Sequence, residues 1–107
     1  MTFSLLLMAQ KPETLLRKRF VEGLNKIPGV CVFSIQQVSL RGHPDLILCV
    51  KGRFVGIELK SYITEELKGL QQYFRDKILA ADGVHFIVHP ANFQYVLGEI
   101  KELANTH

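Results

Sequence analysis

Two apolar runs, DLILCV at 45–50 and RFVGIELK at 53–60, are separated only by Lys51-Gly52. A two-residue step containing Gly between such runs predicts a tight β-hairpin. This feature constrains the fold more than any other, because the turn fixes the register of both strands. Val50 then faces Arg53, and counting outward pairs Cys49 with Phe54, Leu48 with Val55, Ile47 with Gly56, Leu46 with Ile57 and Asp45 with Glu58. Leu46, Leu48, Val55, Ile57 and Leu59 point one way, and Ile47, Cys49 and Phe54 the other. Strands apolar on both sides belong in the middle of a sheet that is covered on each face.

The rest of the chain supplies the covers. A helix is predicted from Pro12 to Lys26, with Leu16, Phe20, Leu24 and Ile27 at helical spacing and a stop at Pro28-Gly29. A β-rich run, Val30 to Val38, precedes the hairpin. A second helix, Thr64 to Ala81, carries Leu67, Leu70, Phe74, Ile78 and Ala81 on one stripe and ends at Asp82-Gly83. A strand from Val84 to His89 follows, Pro90 breaks it, and a last helix presents Phe93, Val96, Leu97, Ile100 and Leu103. The expected class is α/β (α+β), a central mixed sheet of about four strands flanked by helices in the order α-β-β-β-α-β-α. With 107 residues the chain is one domain, its first eleven residues forming a loose N-terminal segment.

Composition adds limits rather than a function. Lys and Arg number 13 against 10 Asp and Glu, an excess that permits an anionic partner without requiring one. No apolar stretch is long enough to span a membrane, and MTFSLLLMAQ lacks the basic start of a signal peptide. Cys31 and Cys49 sit inside VCVF and LILCV with no C-x-x-C, and are expected to be buried free thiols in a reducing compartment.

The predicted register sets Asp45 and Glu58 opposite each other, with Cβ atoms about 4.5–5.5 Å apart. Lys60, two residues beyond Glu58, shares that face. Two like charges so placed repel, and burial worsens the repulsion. A proton on one carboxyl, a salt bridge to Lys60, or a divalent cation with hard oxygen ligands would each offset it, and the cation accounts for all three residues together. The plainer alternative has Asp45 capping a turn and Glu58 and Lys60 forming an exposed pair on an edge strand. The apolar flanks LILCV and FVGIEL oppose that alternative.

Gly42-His43-Pro44-Asp45, a strand, a short turn and Ile57-Glu58-Leu59-Lys60 resemble the PD-(D/E)XK nuclease superfamily, whose fold is that of restriction endonucleases. Within it, the chain is similar to a stand-alone VRR-NUC domain from Pro12 onward. The resemblance implies Asp45 and Glu58 as metal ligands, with the backbone carbonyl of Leu59 as a third. It implies Lys60 as the group that positions the attacking water or stabilises charge at phosphorus, and Mg²⁺ as cofactor, with Mn²⁺ as a substitute. It also implies an acid from the first helix and a glutamine from the second. Glu13 continues the stripe of Leu16, whereas Glu22 points away, so Glu13 is the candidate. Gln71 lies on the stripe of Leu67 and Phe74, whereas Gln72 is about 100° round the helix, so Gln71 is the candidate. The implied activity is phosphodiester hydrolysis in DNA by a cytoplasmic homodimer. Branched substrates such as four-way (Holliday) junctions are the expected ones. A non-catalytic nucleic-acid-binding module on the same scaffold is the alternative. His43 departs from the small or aliphatic residue expected between that Gly and Pro, and reads as a loop side chain. Tyr62, in the variable segment Ser61–Glu66, has a weak claim as a DNA contact.

Other signals carry less. His85 and His89, four apart on a strand, stand roughly 13 Å apart, too far to share one ion. Arg17, Lys18 and Arg19 form a basic run whose ordinary place is a solvated helix face; beside a metal site it would also suit a phosphate backbone.

Overall fold

A computed structural model describes residues 12–35, 42–62 and 64–106. The segment 1–11, expected to be loose, and the far end of the first expected strand, 36–38, lie outside the described residues. The elements are α1 (Pro12–Leu24), β1 (Val30–Ser34), β2 (Leu46–Val50), β3 (Arg53–Leu59), α2 (Leu70–Ala80), β4 (Val84–Val88) and α3 (Phe93–Asn105). One four-stranded sheet runs β1-β2-β3-β4. Its first two pairings are antiparallel, and β3 and β4 are parallel through the crossover that contains α2. This is the expected mixed-sheet α+β architecture in the expected order.

The hairpin folds as its turn dictates. Lys51 (φ 50°) and Gly52 (φ 88°) are both left-handed, which is the backbone of a type I′ turn. Its twist matches that of the flanking strands, and the five pairs from Val50↔Arg53 to Leu46↔Ile57 follow the predicted register.

The core lies on one face of the sheet. Leu46, Leu48, Val50, Val55, Ile57, Leu59 and Val88 meet Leu16, Phe20 and Leu24 of α1 and Val96, Ile100 and Ala104 of α3. The helical spacing of these residues on α1 and α3 places each apolar stripe against the strands. α1 stops slightly earlier than predicted, because Lys26 and Ile27 donate to Gly23 (3.2 Å) and Leu24 (3.0 Å), a tightened final turn.

The second face departs from expectation. Of the described helices only α2 packs there, against β4. It contains no buried residue, and Leu70, Tyr73, Phe74 and Leu79 are exposed. The predicted α2 stripe therefore does not form a second core; Leu67, the one buried member, lies before the helix. α2 also starts later than Thr64. Tyr62 and Glu65 close a local turn, Tyr62 N–H to Glu65 Oε1 (3.0 Å) and Glu65 N–H to Tyr62 O (3.1 Å), and Gly69 then takes φ 48°. Among the described residues no helix covers this face over β1 and β2. Cys31 and Cys49 are exposed, which corrects the expectation of buried thiols. Their apolar neighbours in sequence belong to the opposite face, so apolar flanks did not report the burial of the thiols themselves.

Gly42 ties the loop before β2 to α2. It has φ 83°, and a Cβ there would collide with Leu70 Cβ and stand 2.7 Å and 2.8 Å from that residue's carbonyl carbon and oxygen. Gly42→Ala is expected to lose at least about 1–2 kcal/mol of stability from the left-handed backbone alone. Urea unfolding of the two proteins measures it.

Candidate active site

The ends of β2 and β3 bring three of the singled-out side chains together, and α2 supplies a fourth. The regular ladder closes at Leu46↔Ile57. One step further, the Asp45 N–H donates to the carbonyl of Ile57 (2.8 Å). Two residues of one strand thus address a single residue of the other, as in a β-bulge, a device that re-aims side chains. The Asp45 carboxylate bends over the end of β3, where Oδ2 accepts the Leu59 N–H at 2.7 Å. In an extended strand the N–H and C=O of one residue face the same edge, so the Leu59 carbonyl turns toward Asp45 as well.

Glu58 is the most consequential residue of the site. It is 1% exposed and lies on the face opposite Ile57 and Leu59, away from the apolar core. Its Oε1 receives Gln71 Nε2 at 3.4 Å. Its Oε2 is buried and has no hydrogen-bond partner among the described residues. Burial pushes the Glu58 carboxyl up to about 8; the charge of Asp45 adds to the rise, Lys60 opposes it, and Glu13 adds a small further increment. At neutral pH, without a cation, Glu58 therefore holds a proton.

Gln71 organises the opposite wall. Its Oε1 accepts from Lys60 Nζ (3.1 Å) and from the Lys68 N–H (3.2 Å), which leaves Nε2 to face Glu58. Donors and acceptors are matched, so the amide orientation follows from the network. Gln72 instead donates to the Leu67 carbonyl at 3.0 Å. Lys60, Gln71 and Lys68 line an open cleft of about 590 Å³ together with Thr64, Glu65 and Glu66.

Glu13 is exposed and bears on the site only through its charge. Among the described residues, no three His, Cys, Asp or Glu side chains stand together as an ion-binding group. His43 is half-buried, with Nδ1 2.9 Å from the Pro44 carbonyl. Tyr62 is exposed on the loop after β3.

Arg17 is the residue that sequence reasoning placed differently. Instead of standing on a solvated face it turns inward: Nη1 donates to Ser34 Oγ (2.6 Å) and to the Asp45 carbonyl (3.3 Å), and Nη2 lies 3.8 Å from Asp45 Oδ1. It thereby joins α1 to β1 and to the backbone of the acidic pair. Its position four after Glu13, hence on the same helix face, was the available signal. Because the pair is partly solvated, Arg17→Ala is expected to cost only about 1 kcal/mol. Chemical denaturation is the check.

The donor set fits a hard divalent cation. Mg²⁺ is held through one or two carboxylates and retains several waters, and an unpartnered buried carboxylate oxygen beside a second carboxylate and a backbone carbonyl is such a set. No family model matches the sequence, and no curated protein does. By its backbone the chain has a fold similar to that of a VRR_NUC domain. A solved structure described as a VRR_NUC domain matches it with a TM-score of 0.67, covering 92% of this chain and 99% of that one at 16% identity. At that identity the likeness is one of fold.

Proposed function

We propose that the chain is a metal-dependent endonuclease that hydrolyses phosphodiester bonds in DNA. The observation that carries this reading is the buried Glu58 carboxylate, with one oxygen unpartnered, set beside Asp45 and within the network of Lys60 and Gln71. A structural salt bridge would leave no oxygen orphaned, since such an atom costs about 1–3 kcal/mol.

Asp45, Glu58 and the Leu59 carbonyl would hold Mg²⁺, or Mn²⁺ in its place. When bound, the ion supplies Lewis-acid stabilisation of the phosphate and lowers the pKa of a coordinated water. Binding would offset the cost of ionising Glu58 beside Asp45 and release the Glu58 proton. Lys60 lines the cleft, and its ammonium there would favour the charge that builds on the phosphate oxygens. Gln71 keeps the lysine and Glu58 in fixed relation. Arg17 holds the Asp45 backbone. Glu13 fits an outer role, such as a hydrogen bond to a water at the site.

The substrate we favour is branched DNA, a four-way junction among others, cut in the cytoplasm by a homodimer that presents two sites. The fold shared with a VRR_NUC domain supports the nuclease reading. A panel of duplex, flap and junction DNA with Mg²⁺ or Mn²⁺ tests it. Cleavage that requires the metal and is lost in Asp45→Ala is the expected result. Binding without cleavage would make the chain a nucleic-acid-binding module, and neither binding nor cleavage would overturn both readings.

A further inference from the structure

Cys31 and Cys49 stand directly opposite each other on β1 and β2, and both are exposed. Ile35 N–H donates to the Asp45 carbonyl (3.1 Å), and Lys51 N–H to that of Gly29 (3.0 Å). These bonds mark the hydrogen-bonded positions of the ladder, and their alternation makes Cys31↔Cys49 another. Cα atoms at such a pair lie about 5.5 Å apart, within the range that disulfides span. Directly opposed residues share a face, and here it is the one that no described helix covers over β1 and β2. They are the only cysteines in the chain, so neither has a competing partner within it.

We propose that Cys31 and Cys49 form a reversible dithiol site that is oxidised by low-molecular-weight disulfides to a cross-strand disulfide. One thiolate attacks a sulfur of the small disulfide, whose S–S bond breaks and releases one small thiol. The second thiolate then attacks the protein-side sulfur of the mixed disulfide and releases the other small thiol. The protein loses two electrons and two protons, and the oxidant gains them as two thiols. Opposed Cβ atoms stand about 4.5–5.5 Å apart, whereas a relaxed disulfide has them at about 3.8 Å. The bond therefore forms under some strain, and strained, exposed disulfides are the readily reduced ones. The cross-link fastens edge strand β1 to β2. β1 carries the Ser34 hydroxyl that meets Arg17, and the next residue, Ile35, reaches the Asp45 carbonyl, so the oxidised state secures the strand that backs the acidic pair.

Oxidised glutathione on the full chain, followed by intact-mass measurement and unreduced peptide mapping, tests the proposal. The expected product is a monomer lighter by two hydrogens, with a single Cys31–Cys49 cross-link that dithiothreitol reverses. Cys31→Ser and Cys49→Ser should each stop at the mixed disulfide with glutathione, because the resolving thiol is gone. Wild-type protein that retains two glutathiones without a cross-link, or that yields only covalent dimers, would overturn it.

Discussion

Lys60→Ala is expected to lower metal-supported cleavage of branched DNA by about 10²–10³-fold, the usual loss when one charge-stabilising group is removed from a transition state. Lys60 Nζ is held by Gln71 Oε1 at 3.1 Å, beside the carboxylates but outside their proposed donor set. The variant should therefore still bind the cation. Lys60 also opposes the rise in the Glu58 pKa. Its removal should move the acid limb of the pH–rate profile to higher pH, because Glu58 then holds its proton more tightly. Single-turnover rates across pH measure both effects. A variant within about twofold of wild type at every pH would remove Lys60 from the chemistry.

Glu58→Gln is expected to become more stable than wild type as pH rises when no metal is present. The native carboxyl titrates at about 8 against an ordinary value of 4.5, so the folded state holds the proton more tightly than the unfolded chain. The sign follows from linkage: this contribution is complete below about 4.5, declines as pH rises from there, and is gone above about 8. Gln carries no such dependence. The two proteins should be nearly matched at pH 5, and the variant should lead by roughly 3–5 kcal/mol at pH 9, since each tenfold difference in proton affinity between folded and unfolded chain is worth about 1.4 kcal/mol. Urea unfolding at pH 5, 7 and 9 measures the gap. Saturating Mg²⁺ should narrow it by stabilising wild type alone, since a ligand stabilises the state that binds it.

The hairpin was legible because its information is local. Lys51-Gly52 admits a two-residue turn, and the turn propagates a register that holds as far as Leu46↔Ile57, one step short of the expected Asp45–Glu58 pair. The cores of α1 and α3 were legible for the same reason, since helical spacing states which side is buried. The detail at Asp45 was not. Its amide leaves the regular ladder for the Ile57 carbonyl, a bulge that strand alternation does not announce. The pattern on α2 misled in part, because the helix packs on β4 without burying any residue of its own. Gln71 faces inward there through polar contacts, and Leu70 and Phe74 remain exposed. Arg17 was hidden among neighbouring basic residues, and only its helical phase with Glu13 distinguishes it from Lys18 and Arg19. The exposed thiols were not legible because strands apolar on both sides imply a cover on both faces, and among the described residues the helix on that face packs against β4, away from β1 and β2.

Calorimetric titration of Mn²⁺ into the protein at pH 7, in two buffers of different ionisation enthalpy, bears most directly on the shared cation. Wild type should show one saturable event that releases a proton from Glu58, and Asp45→Asn and Glu58→Gln should each lose that event. Identical titrations of all three proteins, with no proton released, would mean that these carboxylates do not hold an ion between them.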